Sequence, residues 1–187
     1  MDFTGSTAET ERLNLRTHTD DDFAEFFDLH RREDVARYLP WEPRDEDGAK
    51  AALTRHQELE VDVDDQGLTL AGIDKATGRY VGDFVLILRS VEHRGAEVGY
   101  VLHPDFAGRG LATEGASHML SIAFDRMDLR RVIARIDPRN VASARVLAKL
   151  GLRHEAHLVQ NELFKGEWCD EDDFAILRDE WLARQRT

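Results

Sequence analysis

A single cysteine, Cys169, stands in a chain of 187 residues, so no intramolecular disulfide forms and no multi-thiolate metal cluster can be assembled. A disulfide-stapled secreted fold is excluded, and a reducing, cytoplasmic setting fits. Long hydrophobic runs are missing as well. Nothing approaches the ~18 apolar residues of a membrane span, and the opening MDFTGSTAETERL lacks the basic-then-apolar order of an export signal. Positive charge is scarce: 25 Lys and Arg face 37 Asp and Glu, a formal charge of -12. That balance repels phosphate backbones and anionic membranes, which argues against nucleic-acid and membrane partners and favours a cationic substrate. A solvated acidic surface that merely keeps the protein soluble meets the same numbers. Proline is sparse too, only 4 residues against 42% hydrophobic content, enough to bury one core as a single domain over 1–187, with 1–10 expected to be a flexible N-terminus.

The patterns that are present alternate in period. ERLNLRT places Leu13 and Leu15 two apart, as in a half-buried strand. Asp20, Asp21 and Asp22 then supply capping and first-turn acids to a helix bearing Phe23, Phe26, Phe27 and His30. REDVARYLPWEP reads as a short helix stopped by Pro40, and DEDGAKAALTRHQELEVD as a longer one. From Gly67 the runs LTLAGID, RYVGDFVLILRS and AEVGYVLHP form an antiparallel meander. After a glycine-rich loop, Ala116, Met119, Leu120, Ala123, Phe124 and Met127 make one apolar helical stripe. RRVIARIDP is a strand, NVASARVLAKLG a helix capped by Asn140 and ended by Gly151, and the remainder two strands around FKGEW with a short C-terminal helix.

The loop HPDFAGRGLATEGA misses two nucleotide motifs. It lacks the Gly-Lys-Ser/Thr ending of a P-loop, and Thr113 stands where the dinucleotide fingerprint needs its third glycine, behind a meander rather than a parallel βαβ unit. What survives is an anion site, in which glycines permit the turn and a helix N-terminus presents unpaired N–H groups; a tight connection holding nothing satisfies the same residues. Arg109 reads as a phosphate contact or as a solvated base. DVDDQG at 62–67 begins like a calcium loop but has Ile73 at the twelfth position, leaving an acidic helix end and turn. His154 and His157 lack the zinc-protease spacing and lie in a strand.

The order of parts, a meander, EVGYVLHP, the glycine loop opening a helix, a strand and DPRNVASARVLAKLGL, resembles the GNAT acetyltransferase superfamily, in its RimJ/RimL-type branch. The likeness runs from TERLNLR through FKGEW to DEWL. It implies an α+β fold: a mixed, mostly antiparallel twisted sheet of six to seven strands with flanking helices and a splayed central strand pair. It implies acetyl-CoA as cosubstrate, no metal, and an amine acceptor, a ribosomal protein N-terminus among the options. Homodimers are common in such folds, though these residues carry no signature of one.

Carried over by motif, the resemblance assigns the coenzyme pyrophosphate to the backbone of Ala107, Gly108, Arg109, Gly110, Leu111, Ala112 and Thr113. The family's first loop position, Gln or Arg, is here Ala107, which puts in doubt only a side-chain contribution. Val101 and Leu102 are implied to pair with the pantetheine arm, and Asn140 to contact it. Acetyl transfer needs a neutral amine, a stabilised oxyanion and a proton for the leaving thiolate. Direct attack is preferred to a Cys169 acyl-enzyme, because the carboxylates of EWCDEDD disfavour a thiolate. Glu162, in the strand the family places by the acceptor, is the first choice of base and Glu97 the second; each also reads as a surface or sheet-pairing acid. Ser143 resembles the branch's proton donor to the thiolate, or is a first-turn helix residue. Tyr38 and Trp41 stand where the superfamily builds acceptor specificity, or pack in the core. A non-catalytic acyl-CoA sensor or interaction module of the same fold is the alternative.

Overall fold

The computed structural model describes residues 8–57 and 61–185. One eight-stranded sheet runs through it in the order β1-β2-β3-β4-β5-β6-β8-β7. Its strands are β1 (Ala8–Glu9), β2 (Leu13–Arg16), β3 (Gly67–Asp74), β4 (Tyr80–Ser90), β5 (Gly95–Leu102), β6 (Arg131–Ile136), β7 (Arg153–Phe164) and β8 (Glu167–Leu177). The sheet is wider by one strand than the six to seven expected. Ala8 and Glu9, read from sequence as part of a flexible tail, pair with Leu15 and Asn14; residues 1–7 of that tail lie outside the described residues. The helices are α1 (Phe23–His30), α2 (Glu33–Ala36), α3 (Glu46–Gln57), α4 (Leu111–Ser121), α5 (Val141–Leu150) and α6 (Arg178–Arg184). DVDDQG forms bends and a turn leading into β3; residues 58–60, between it and α3, lie outside the description.

Period-2 patterning decides which residues face which layer. Phe84 on β4, with its cross-strand neighbours Leu70 and Tyr100, belongs to the core under α4, where Ala116, Met119, Leu120, Ala123 and Phe124 are fully buried. The predicted stripe is thus the contact face, although the helix passes into a π-helical turn over Ile122–Arg126, closed by Met127 N–H to Ile122 O at 3.0 Å. Helix α4 reaches the sheet closely because of Gly115, where a Cβ would stand 2.2 Å from Phe84 Cε1. The opposite face carries α1 and α3, whose Phe26, Leu29, Ala49, Ala52 and Leu53 bury Ala71 and Tyr80, with Val101 packed against them.

Among the described residues the central pair β5 and β6 is the only parallel one, and its register runs Gly95↔Arg131, Ala96↔Val132, Glu97↔Ile133 and no further. Beyond that point Val98–Leu102 keeps its antiparallel partners on β4, while Ala134–Ile136 keeps β8. The two strands splay, as the resemblance implied, and their diverging ends lead into α4 and α5.

Candidate functional site

The mouth of the splay is framed by two helix N-termini. After Pro104–Phe106, a single 3-10 turn, the loop reaches Gly110 at φ +80°, a left-handed conformation that a side chain would strain. The α4 ladder opens with Glu114 N–H to Gly110 O at 3.1 Å, so the N–H groups of Leu111, Ala112 and Thr113 precede it and point out of the helix end. Three unpaired donors and the positive end of the helix dipole suit a diphosphate.

The charge beside this loop is not the one expected. Arg109 turns away: Nη2 pairs with buried Asp74 at 2.9 Å and its guanidinium lies 5.1 Å from the Phe106 ring centre. Arg12 takes the place, with its Nη1 2.6 Å from Arg109 O. Its guanidinium is held by Glu114, whose carboxylate accepts Thr10 Oγ1, Arg12 N and Arg12 Nε at 2.5, 2.7 and 2.7 Å. Burial pushes the Glu114 carboxyl up, but these donors outweigh it and hold it below its ordinary range. Sequence inspection missed Arg12, because 97 residues separate it from Arg109. Glu114→Gln should cost about 2 kcal/mol at neutral pH. Because the folded pKa is depressed, the wild type holds this stability above about pH 4.3 and loses it as pH falls through the folded value. Urea unfolding at pH 7 and pH 3.5 tests this: the gap between wild type and variant should close in acid, and a constant gap would refute the assignment.

On the other arm, Asn140 caps α5, its Oδ1 accepting Ser143 N–H at 3.1 Å. Ser143 Oγ lies 2.9 Å from Tyr100 Oη, which also reaches Ser143 O at 3.2 Å. Tyr100 therefore bridges the splay from β5 to α5. Burial pushes its phenol up to about 12 against the lowering effect of the Ser143 hydrogen bond, so the pair stays protonated through the neutral range.

The sheet face that carries α1 and α3 continues past the splay as an acidic wall. Glu97 is tied up there, its Oε2 accepting Arg89 Nε at 2.9 Å and Arg135 Nη2 at 2.8 Å. Glu162 is exposed on β7, opposite Cys169. The residue that sequence reading missed is Glu171, only 7% exposed and hydrogen-bonded by Asn161 Nδ2 at 3.0 Å. A register shift in β7 between Leu158 and Glu162, with Gln160 at φ +50°, sets Asn161 there. Burial first, then the charges of Asp173, Glu162 and Glu97 against the pull of Arg135, raises the Glu171 carboxyl above its ordinary range. Neighbouring Asp173 has a buried Oδ1 with no hydrogen-bond partner among the described residues. Cys169 sits 3.5 Å from Arg139 Nη2, itself paired with Asp137.

The segment after α2 and the β7–β8 hairpin approach each other across this wall. Lys165 Nζ, at the hairpin tip, donates to Ala36 O at 2.9 Å and lies 3.5 Å from Glu42. Trp41 stacks on the His30 ring at 4.9 Å between centres, with the Arg44 guanidinium over the Trp41 ring at 4.9 Å, and Tyr38 is half-buried under Arg37.

The acetyltransferase (GNAT) domain family matches residues 12–153. Over 172 residues, 92% of this chain and 97% of the relative, the sequence is 30% identical to YnaD, an uncharacterized N-acetyltransferase of Bacillus subtilis (strain 168). The GNAT-family acetyltransferase of Bacillus anthracis superposes with a TM-score of 0.85 at 27% identity, covering 94% of this chain and 100% of that one. A spermidine N-acetyltransferase of Vibrio cholerae, solved with CoA and spermine, has a TM-score of 0.79 at 21% identity, covering 92% and 99%, a likeness of fold alone.

Proposed function

The chain belongs to the acetyltransferase (GNAT) family, whose chemistry is acetyl-CoA-dependent N-acetylation, and from that premise we propose that it transfers acetyl to a primary amine by direct attack in a ternary complex. The acceptor is a protein α-amine of the RimJ/RimL kind or a small cationic amine. A cytoplasmic setting accords with the lone Cys169. The observation that carries this reading is the end of β5–β6 pairing at Glu97↔Ile133, which leaves the backbone of Val98–Leu102 free of β6 beside the uncapped N-terminus of α4 and the Asn140-capped N-terminus of α5.

In this reading the pyrophosphate rests on Leu111, Ala112 and Thr113 with Arg12 near, and the pantetheine amides pair with Val101 and Leu102 as an added strand. The amine reaches the thioester from the acidic wall, and its proton passes to Glu171, with Glu162 as the exposed carboxylate beside it. The tetrahedral oxyanion is met by β5 backbone N–H groups. Its collapse breaks the C–S bond, and Ser143, backed by Tyr100, supplies the thiolate proton. An ammonium with a pKa near ~10.4 costs about 4.6 kcal/mol to deprotonate at pH 7, an α-amine near ~7.7–8.0 only about 1–1.4. The need for Glu171 therefore grows with acceptor basicity.

Thiol release should appear with at least one member of a panel of α-amino peptides, polyamines and aminoglycosides, and excess acetyl-CoA should raise the melting temperature. Asn140→Ala should weaken coenzyme binding by calorimetry while leaving the fold intact. Thermal stabilisation without turnover on any amine would instead identify a sensor; absence of both would overturn the reading.

A further inference from the structure

A second polar cluster lies beneath α1 and α3, where Asp83 of β4 pairs in register with Val101 of the splayed strand. Asp83 on β4 is 1% exposed. His18 Nε2 donates to its Oδ1 at 2.7 Å and His30 Nε2 to its Oδ2 at 2.7 Å, and the Tyr80 hydroxyl also donates to Oδ1. These three donors account for the carboxylate as a buried hydrogen-bonded anion. They do not account for His56. From the last turn of α3, its Nδ1 stands 3.9 Å from Asp83 Oδ1, beyond hydrogen-bond reach, and this buried atom has no other partner among the described residues. An imidazole nitrogen thus faces a carboxylate and a second imidazole across a gap.

We infer that His18 Nε2, its ring proton moved to Nδ1, an atom otherwise unpartnered among the described residues, forms with His56 Nδ1 and Asp83 Oδ1 a three-donor site for a divalent cation of the zinc class. Their ligand atoms all lie within 4.8 Å of one another. A tetrahedral ion with bonds near 2.0–2.2 Å sets its donors about 3.3 Å apart. The observed separations of 2.7 Å for His18 to Asp83 and 3.9 Å for His56 to Asp83 straddle that value, and the His18 to His56 separation lies within 4.8 Å, so loading opens the first contact by about half an ångström and draws the His56 ring inward by about 0.5–1.5 Å. Two imidazoles and one carboxylate form a donor set of borderline softness, suited to zinc or cobalt rather than to calcium or magnesium.

The surroundings supply an outer shell. His30 holds the second carboxylate oxygen, and its ring is fixed between Phe26 at 3.9 Å and Trp41 at 4.9 Å. The Tyr80 hydroxyl, donating to Asp83 Oδ1, orients the ligating oxygen. No Lys or Arg pairs with Asp83 among the described residues, its ion-pair partners being His18, His30 and His56, so a cation meets an otherwise lone buried carboxylate. His56, with 22% of its side chain exposed, is the entry side. The ion would clamp α3 to β4 and, through His30, steady the Trp41 wall of the acceptor site. Positions 18, 56 and 83 form no short motif, and the family resemblance implied no metal.

The test is metal binding itself, independent of turnover. Chelator-treated protein is titrated with Co(II), read by its visible absorption, and with Zn(II) in competition with a chromophoric chelator. We expect about one equivalent bound with the bands of a four-coordinate ion, and at least about tenfold weaker binding in His56→Gln, a position exposed enough to spare the fold. The surface pair His154 and His157, each near Asp172, is the competing cation trap, so His154→Gln/His157→Gln should bind as the wild type does. Substoichiometric uptake by the wild type, or uptake that survives His56→Gln and disappears in the surface double variant, would overturn the inference.

Discussion

Asp83→Asn should lower the unfolding free energy of the metal-free protein by about 3–5 kcal/mol, a large share of the stability of a chain this size. The substitution is isosteric, so no cavity forms, and the loss is electrostatic. Burial alone would push the Asp83 carboxyl up, but the hydrogen bonds from His18 and His30 hold it well below the usual carboxylate range. An amide can accept from one of these donors only by turning its own NH2 toward the other, which leaves a buried donor facing a donor. Denaturant unfolding of chelator-treated wild type and variant measures the difference. A change below about 1 kcal/mol would mean that water reaches the cluster and that Asp83 is no buried anion.

Glu171→Gln should reduce kcat by about a hundredfold or more on a strongly basic amine, with KM changed little, as for removal of a general base. The pH profile is the sharper readout. The base acts only when ionised, so kcat/KM of the wild type should climb with pH through the Glu171 pKa. Burial and the neighbouring carboxylates raise that pKa, so the acid limb lies above the ~4.3 of an ordinary glutamate. The Gln variant should lose this limb and gain activity only as pH approaches the pKa of the acceptor amine. A wild-type profile in Glu171→Gln together with a collapsed one in Glu162→Gln would return the base role to Glu162.

What could be read from the chain, and what could not, follows from the range of the interactions. The α4 stripe, the Asn140 cap and the strand alternation of Leu13 and Leu15 are local, and each lies where its spacing put it. The splay was implied only by resemblance, because two strands with 28 residues between the end of one and the start of the other carry no local sign of where their pairing stops. EWCDEDDFAIL reads as a uniform acidic run, yet sheet register buries Glu171 and turns Asp172 toward His154 and His157. In the same way, Arg109 looks like the phosphate ligand until Asp74 is seen to claim it, and Arg12 is recruited across the fold by Glu114. Charge partners are chosen by tertiary structure, so their identity is the last thing a single sequence yields.

The three-residue parallel seam has a consequence for how the molecule opens. Among the described residues, the pairing of Gly95, Ala96 and Glu97 with Arg131, Val132 and Ile133 is the only strand pairing that joins the β1–β5 block of the sheet to the β6–β8 block. In the free protein, amide exchange should therefore divide into two cooperative units meeting at that seam. On the proposed placement, a pantetheine arm against Val101 and Leu102 would extend the ladder where the protein ends it. The cosubstrate would then act as a piece of the sheet, and acetyl-CoA should merge the two exchange units into one.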